Sequence, residues 1–343
     1  MEGTDRKIKV GISIGDPNGV GIEIILKIFQ DKRMFDFFTP IVFANLKLMS
    51  AQRKHFNLQT SLAPYGLGKK PSKQQLNVVD VFKQPFDTRF GQATNEAGEI
   101  AINSLKAATK ALKEGTVDVL VTAPINKQNI QSEDFSFPGH TDYLAKELKG
   151  ESLMFMVSDH LRVGLLTDHI PVSEVAKTID ANLIKTKVAK MKASLQEDFG
   201  IAQPKIALLG INPHTGDNGV IGEEDDTILR PAIKEIYSQG TLIFGPYAAD
   251  SFFGTALPKQ FDAVLATYHD QGLIPFKTLT FGNGVNFTAG LSKVRTSPDH
   301  GTAYDLAGKG EAKTQSFEEA LFYARQIYFN RAAHQEYTPQ PKE

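Results

Sequence analysis

Apolar, β-rich runs alternate along this chain with stretches of helical periodicity. Strands are predicted at Ile8–Ile14, Ile41–Ala44, Val117–Thr122, Leu153–Val157, Leu161–Leu166, Ile206–Gly210 and Ala263–Thr267. Helices are predicted at Glu96–Glu114, Ser173–Leu195, Asp225–Ser238 and Phe317–Arg331. This alternation is typical of an α/β protein with mixed, largely parallel sheets.

Two segments lack the pattern. From about His55 to Arg89 the chain is rich in Gln, Lys, Pro and Gly, which predicts peripheral loops or an edge hairpin. The C-terminal sequence AAHQEYTPQPKE predicts a frayed end.

Composition narrows the class of protein. The 343 residues suffice for one large or two medium domains. Lys and Arg total 38 against 39 Asp and Glu, so nothing in the net charge of −1 suggests a nucleic-acid partner, and any anion site must be local. The chain has no cysteine, which excludes disulfides and thiolate chemistry. No apolar run has the length of a membrane span, and the N-terminal sequence lacks a signal-peptide pattern, so we expect a cytoplasmic enzyme or binding protein.

Three histidines each follow a strand-like run and are predicted to lie in short polar loops: His169, His214 and His269. Open α/β sheets bind ligands outside the carboxyl ends of their strands. Three neutral imidazoles there would form a metal site with a coordination position left for substrate or water. The histidines are far apart along the chain, so only the fold can bring them together. On spacing alone, three separate structural histidines are the favoured alternative.

Two glycine-containing segments suit anions. GDPNGVGIE, residues 15–23, ends the first strand, and the helix that follows would present free amides to an anion. The alternative is a tight strand-to-helix turn. In FPGHTDYL, His140 and Thr141 lie at a predicted helix start, which suits phosphate or carboxylate. Thr141 as a simple N-cap is the alternative, and the two roles are compatible.

The segment 275–312 combines cations with small residues. Lys277 and Arg295, near Asn286, would serve an anionic substrate, with solvated surface charge as the alternative for either cation alone. The sequence DHGTAYDLAGKG follows, with His300 and Asp305 flanking a small-residue loop that suits an adenine and a ribose.

That loop resembles the nucleotide-binding segment of isocitrate and isopropylmalate dehydrogenases. Those enzymes bind NAD(P) without the GxGxxG fingerprint, which is also absent here. An ordered set of motifs narrows the resemblance to the 4-hydroxythreonine-4-phosphate dehydrogenases of pyridoxal-phosphate biosynthesis, over about Val10 to Leu321. The motifs are GDPNGVGIE, TAPINK, FPGHTDYL, TDHIPV, GINPHTGDNGVIGEE, YHDQGLIPFK, GVNFTAGL and RTSPDHGTA.

The resemblance implies a two-domain, isopropylmalate-dehydrogenase-like α/β fold with the active site in the interdomain cleft. One domain, 1–128 plus 277–343, is discontinuous and holds the nucleotide. The central domain, 129–276, carries the metal ligands and the dimer contact. A homodimer with the active site at its interface is therefore expected.

The resemblance also implies roles for individual residues. The metal ligands would be His169, His214 and His269, shared across the dimer interface. The substrate-binding residues would be His140, Thr141, Lys277, Asn286 and Arg295. More loosely, the cofactor-binding residues would be His300, Gly301, Thr302, Ala303 and Asp305. The family usually has alanine at the position of Asn18 and commonly proline at that of Ser292, and neither is a ligand position.

The expected reaction is oxidation of 4-phosphohydroxy-L-threonine with NAD or NADP, followed by decarboxylation to 3-amino-2-oxopropyl phosphate. Imidazole ligands favour zinc or cobalt over magnesium. Asp270 and Asp250 are candidates for the base, and either is equally well explained as a carboxylate that orients an imidazole. The alternatives are a paralogue that oxidises 4-phosphoerythronate or 4-phosphothreonate, a non-catalytic phosphate-ester binding protein and a metallohydrolase.

Overall fold

The computed structural model describes residues 7–131, 135, 137, 139–148 and 150–337. Its strands are β1 (Ile8–Ser13), β2 (Phe38–Ala44), β3 (Leu62–Pro64), β4 (Leu76–Asp80), β5 (Val119–Thr122), β6 (Gly150–Val157), β7 (Arg162–Leu165), β8 (Ile206–Leu209), β9 (Ile243–Tyr247), β10 (Ala263–Ala266), β11 (Val285–Leu291) and β12 (Arg295–Pro298). Its α-helices are α1 (Gly21–Ile28), α2 (Met34–Phe37), α3 (Leu46–His55), α4 (Asn95–Lys113), α5 (His140–Leu148), α6 (Val172–Thr178), α7 (Ala181–Glu197), α8 (Arg230–Ser238), α9 (Ala249–Phe253), α10 (His269–Thr280) and α11 (Gln315–Tyr337).

The first of two compact units comprises Met1–Glu151 and Leu291–Phe329. Its strands lie in the order β3-β4-β2-β1-β5-β12, and each neighbouring pair is parallel. Strands β1, β2 and β5 are buried along nearly their whole length, which explains their continuous apolar sequences. The side chain of Thr94 caps α4 by accepting a hydrogen bond from the Ala97 amide, and α4 packs Leu105 and Leu112 into the core beside Leu120.

The second unit comprises Ser152–Gly290 and Asn330–Glu343. Its strands run in the order β11-β6-β7-β10-β8-β9. Strands β7, β10, β8 and β9 are parallel neighbours, whereas β6 is antiparallel to β7. The predicted mixed, largely parallel α/β class is confirmed. The predicted assignment of functions to domains 1–128 plus 277–343 and 129–276 stays a prediction.

Three local predictions are corrected. The segment 55–89 lies at a sheet edge as expected, but β3 and β4 run parallel and therefore form no hairpin. The predicted helix Ser173–Leu195 is two helices, because Asp180 caps α7 by accepting a hydrogen bond from Leu183. Helix α11 continues to Tyr337, so the C-terminal fraying predicted from residue 332 is wrong as far as the structure describes this end.

No helix or strand is predicted between residues 269 and 298, but this segment is regular in the structure. Helix α10 includes Pro275 and is followed by β11 and β12. His269 is therefore the first residue of a helix and does not lie in a loop. In the part of the chain that is described, no helix is both long and apolar enough to cross a membrane.

Candidate active site

The three predicted metal ligands follow neighbouring parallel strands of the second unit. Strand β10 lies between β7 and β8. His169 follows β7, His269 follows β10, and His214 follows β8. Parallel strands end at the same edge of a sheet, so the topology places all three residues after one edge.

His169 and His269 lie close together, with ring centroids 5.9 Å apart. The Asp270 carboxylate lies 2.7 Å from Nδ1 of His269, which leaves Nε2 as the nitrogen available to a ligand. Asp168 is 3.9 Å from Nδ1 of His169. Within one chain, however, the described residues contain no group of three or more His, Cys, Asp or Glu side chains that would hold a metal ion. The set of three ligands stays a prediction.

The loop that carries His214 has an unusual backbone. His214, Thr215, Asp217 and Asn218 all have positive φ, between 45° and 56°. Non-glycine residues rarely adopt this conformation, and a run of them persists only where the surroundings impose it. The fully buried Asp225 fixes the start of this loop, because its carboxylate accepts hydrogen bonds from the backbone amides of residues 211 and 212 at 2.9 and 3.0 Å. Such imposed strain is concentrated at binding sites.

Asp250 and Asp270 differ in their surroundings. Asp270 pairs with His269, which favours the orienting role over that of a base. Asp250 lies exposed in the first turn of α9. Two predicted substrate residues also belong to the second unit. Lys277 is exposed near the end of α10, and Asn286 lies in β11 with its Oδ1 buried and without a hydrogen-bond partner among the described residues.

In the first unit, Arg295 is a buried cation on a buried strand. It is 1% exposed, and its Nη2 and Nε donate to Oγ1 of Thr122 at 2.6 and 3.2 Å. The contact arises because β12 pairs with β5 in parallel, opposite Leu120 and Val121. Burial lowers the pKa of Arg295 to about 9, so the guanidinium is charged at neutral pH. Solvated surface charge, the alternative role for this residue, is therefore wrong.

His140 is close to this guanidinium. Burial, Arg295 and Lys127 hold the pKa of His140 well below its ordinary value of 6.5, in that order of effect. Its Nε2 is buried and has no hydrogen-bond partner among the described residues. Helix α5 begins at His140, so Thr141 lies inside the first turn and is not the N-cap. The sequence did not single out Lys127, although it follows the β5 strand in the TAPINK motif.

The predicted cofactor loop, 300–305, packs against the glycine-containing turn after β1. The Val20 amide donates to the Thr302 carbonyl at 3.1 Å, and a Cβ on Gly19 would lie 2.8 Å from the same oxygen. Tyr304 donates to the buried Asp16 carboxylate at 2.7 Å. The Val20 amide before α1 is therefore already bonded, and anion binding by residues 15–23 stays a prediction.

The remaining cofactor-loop residues have distinct positions. Gly301 and Asp305 are exposed, and Ala303 has a positive φ of 45°. His300 has its Nδ1 3.0 Å from the Gly301 carbonyl, and its Nε2 is buried and without a hydrogen-bond partner in the described part of the chain. A buried, unpaired imidazole nitrogen suits a polar ligand at this loop.

Comparison with known proteins identifies the class. A relative from Bacteroides thetaiotaomicron, "4-hydroxythreonine-4-phosphate dehydrogenase", is 46% identical over 329 residues, which cover 95% of this chain and 90% of that protein. A relative from Oceanobacillus iheyensis, "Putative D-threonate 4-phosphate dehydrogenase", is 35% identical over 333 residues, covering 94% and 98%. The crystal structure of a 4-hydroxythreonine-4-phosphate dehydrogenase from Burkholderia phymatum matches with a TM-score of 0.77 and 33% identity, covering 94% of this chain and 98% of that one.

The fold and these relatives define a dehydrogenase that acts on a CH–OH group, which confirms the predicted enzyme class. The model of the family "Pyridoxal phosphate biosynthetic protein PdxA" matches residues 36–324. The chain belongs to this family, and the resemblance drawn from its motifs is confirmed.

Proposed function

We propose that this chain oxidises 4-phosphohydroxy-L-threonine with NAD or NADP and a divalent metal ion, in pyridoxal 5'-phosphate biosynthesis. The observation that carries the proposal is the buried guanidinium of Arg295 near Nε2 of His140, which is buried and has no hydrogen-bond partner among the described residues. A buried cation beside such a nitrogen suits an anionic substrate. Thr141, Lys277 and Asn286 complete the proposed set of substrate-binding residues.

The reaction removes two hydrogens from the secondary alcohol. The carbinol carbon would lose a hydride, which a bound nicotinamide would accept. The hydroxyl proton would pass to a base, for which exposed Asp250 is the remaining candidate. The product, 2-amino-3-oxo-4-phosphooxybutanoate, is a β-keto acid that loses carbon dioxide to give 3-amino-2-oxopropyl phosphate. When bound, the metal ion lowers the pKa of the substrate hydroxyl and the dinucleotide accepts the hydride. We assign the dinucleotide to His300, Gly301, Thr302, Ala303 and Asp305.

The proposed metal ligands are His169, His214 and His269, and imidazole nitrogens suit zinc or cobalt better than magnesium. The close approach of two of these rings supports the proposal, as does the fixed Nδ1 of His269. Because no set of three such side chains forms within the described part of one chain, we propose that a second copy supplies at least one ligand.

Exposed apolar side chains support a homodimer through the second unit. Segments that follow the three histidines expose Val172 by 75%, Val220 by 81% and Phe281 by 85%. Ile221, Ile274 and Leu279 are also exposed in these segments. Exposed apolar side chains of this size are typical of a surface that a partner covers. A dimer contact there would bring together the histidine loops of two copies.

A second substrate is favoured by one specific observation. The Oceanobacillus iheyensis relative aligns along 94% of this chain and is named for D-threonate 4-phosphate. That compound also carries a phosphate ester and a carboxylate, so the same cations would bind it. The two candidate substrates differ at the position of the amine, and no residue is assigned to contact that amine.

The test is an assay of NADH formation with 4-phosphohydroxythreonine, 4-phosphothreonate and 4-phosphoerythronate, each with and without chelator. The proposal expects the highest kcat/KM for 4-phosphohydroxythreonine and loss of activity with chelator, restored by zinc or cobalt. A higher kcat/KM for 4-phosphothreonate would select the second candidate. If the protein bound these compounds but oxidised none of the three, it would be a binding protein and not a dehydrogenase.

A further inference from the structure

Asp16 is a buried carboxylate, 1% exposed, that the proposed chemistry does not use. Its Oδ1 accepts the Asn18 amide at 2.9 Å, and its Oδ2 accepts Nδ2 of Asn129 at 2.8 Å and the Tyr304 hydroxyl at 2.7 Å. Its own amide donates to the Pro124 carbonyl at 2.9 Å. Asp16 therefore joins three segments of the first unit: the turn after β1, the loop after β5 and the proposed cofactor loop, residues 300–305.

The backbone of the proposed cofactor loop is strained at its centre, where Ala303 has a positive φ of 45°. An alanine keeps this conformation only where its surroundings impose it. Both of its neighbours are anchored, because the Thr302 carbonyl accepts the Val20 amide at 3.1 Å and the Tyr304 hydroxyl donates to Asp16. Burial, the hydrogen bond to Asp16 and the charge of Asp16 raise the pKa of Tyr304 from its ordinary value of 10.0, in that order of effect. The phenol therefore keeps the proton that it donates at neutral pH.

The loop is held on one side and open on the other. The chain just beyond it is packed, since Nε2 of His55 lies 2.9 Å from the Gly308 carbonyl and a Cβ on Gly308 would lie 2.7 Å from the Phe90 ring. By contrast, a Cβ on Gly301 would meet no atom of the described residues within 4 Å, apart from its own neighbours along the chain. The Asp305 side chain is exposed as well. The anchored side thus fixes the shape of an accessible backbone surface.

We propose that Asp16 and Tyr304 are positioning residues, which hold the loop 300–305 in the conformation that binds the dinucleotide. The inference rests on the proposed function for the identity of that ligand. A loop that is ordered before its ligand arrives loses less conformational freedom on binding, so the affinity is higher. Without the Tyr304 hydroxyl, Ala303 is free to return to a negative φ. The affinity then falls with the fraction of chains that keep the binding conformation.

The experiment measures binding of NADH and of NADPH to the whole chain, with zinc present and no hydroxy acid, by the change in nicotinamide fluorescence. Tyr304→Phe keeps the aromatic ring and removes the hydroxyl. It should weaken dinucleotide binding by about tenfold, the effect of losing one hydrogen bond to a carboxylate. The matched control is Tyr65→Phe, which removes a hydroxyl that donates to the Lys69 carbonyl in the same unit, and it should bind like wild type.

Two further readouts separate positioning from a general loss of structure. With the hydroxy acid that wild type oxidises, Tyr304→Phe should raise the KM for the dinucleotide by about tenfold and leave kcat within about twofold, because saturating dinucleotide restores the loop. The Leu306 amide donates to the Ala303 carbonyl at 2.9 Å. Its hydrogen exchange should be faster in Tyr304→Phe than in wild type without dinucleotide, and equal to wild type at saturation.

Equal dinucleotide affinity in wild type and Tyr304→Phe would overturn the inference, and so would a lowered kcat at unchanged KM. Absence of dinucleotide binding by wild type would overturn both the inference and the proposed function. Because the binding measurement contains no hydroxy acid, Tyr304-dependent dinucleotide binding with no oxidation of 4-phosphohydroxythreonine would refute the proposed function and leave this inference intact.

Discussion

The carboxylate of Asp270 accepts a hydrogen bond from Nδ1 of His269 at 2.7 Å, at the first residue of α10. This contact holds the imidazole with Nε2 available, which is the arrangement that carboxylates commonly impose on metal-binding histidines. It gives Asp270 a role without requiring it to exchange a proton with the substrate.

Asp270→Asn should weaken metal binding by about 10- to 100-fold, the usual effect of losing a carboxylate that orients a metal-binding histidine. Activity should then recover with added zinc or cobalt, because the substitution lowers occupancy of the site and leaves the chemical step unchanged. The measurement is kcat as a function of metal concentration, with Asp36→Asn, at an exposed position of the first unit, as the control. If kcat stayed more than a hundredfold low at saturating metal, Asp270 would instead be the base.

Sharing of the metal site between two copies predicts a specific pattern of complementation. His169→Ala, His214→Ala and His269→Ala chains should each be inactive but folded. When they are mixed in pairs to form heterodimers, ligands from different chains regenerate one intact site, whereas ligands from the same chain regenerate none. A site with one ligand from the partner therefore restores activity in two of the three mixtures. Activity in none of the mixtures, with heterodimers verified by mass, would place all three ligands on one chain.

The fold class followed from the sequence because the central strands are buried on both faces and read as continuous apolar runs. Helix α10 could not be predicted from the sequence, because Gly272 and Pro275, which usually break helices, interrupt its pattern. The division between α6 and α7 was also missed, because apolar periodicity continues on both sides of Asp180.

Part of the candidate site could also be predicted from the sequence. A histidine that ends an apolar run is visible in a sequence, as are cations among small residues. Lys127 and Arg295 both lower the pKa of His140, although Arg295 is more than 150 residues away from either along the chain. Only the pairing of β12 with β5 brings such distant groups together.

The low pKa of His140 predicts an effect of pH on stability. The folded state keeps this imidazole neutral, whereas the unfolded chain takes up a proton as the pH falls below 6.5. The unfolded state then binds more protons, so the free energy of unfolding should fall by up to about 1.4 kcal/mol per pH unit from this one group.

The measurement is urea unfolding between pH 5 and 7.5, buffered without phosphate. His140→Asn should remove this part of the pH dependence, and His160→Asn, at an exposed histidine, should retain it. Identical slopes in wild type and His140→Asn would contradict burial of a neutral His140 in solution.

Asn18 lies in the turn after β1, and its side chain is fully buried. Its Oδ1 accepts the Arg89 amide at 2.8 Å and its Nδ2 donates to the Gln92 carbonyl at 2.9 Å. It therefore ties the segment 89–92 to the turn after β1. Within that segment, a Cβ on Gly91 would lie 2.9 Å from the Tyr304 carbonyl. The backbone of Gly91 therefore packs closely against the proposed cofactor loop.

Asn18→Ala should destabilise the chain by about 1–3 kcal/mol, because two partly buried hydrogen bonds between the Asn18 side chain and the backbone are lost. It should also speed hydrogen exchange at the Arg89 amide, which loses its acceptor. Asn103→Ala, at an exposed position of α4, is the control and should be neutral or slightly stabilising, since alanine is the better helix former. The comparison uses urea unfolding together with exchange measured by NMR. Unchanged protection of Arg89 in Asn18→Ala would mean that this segment is held by other contacts.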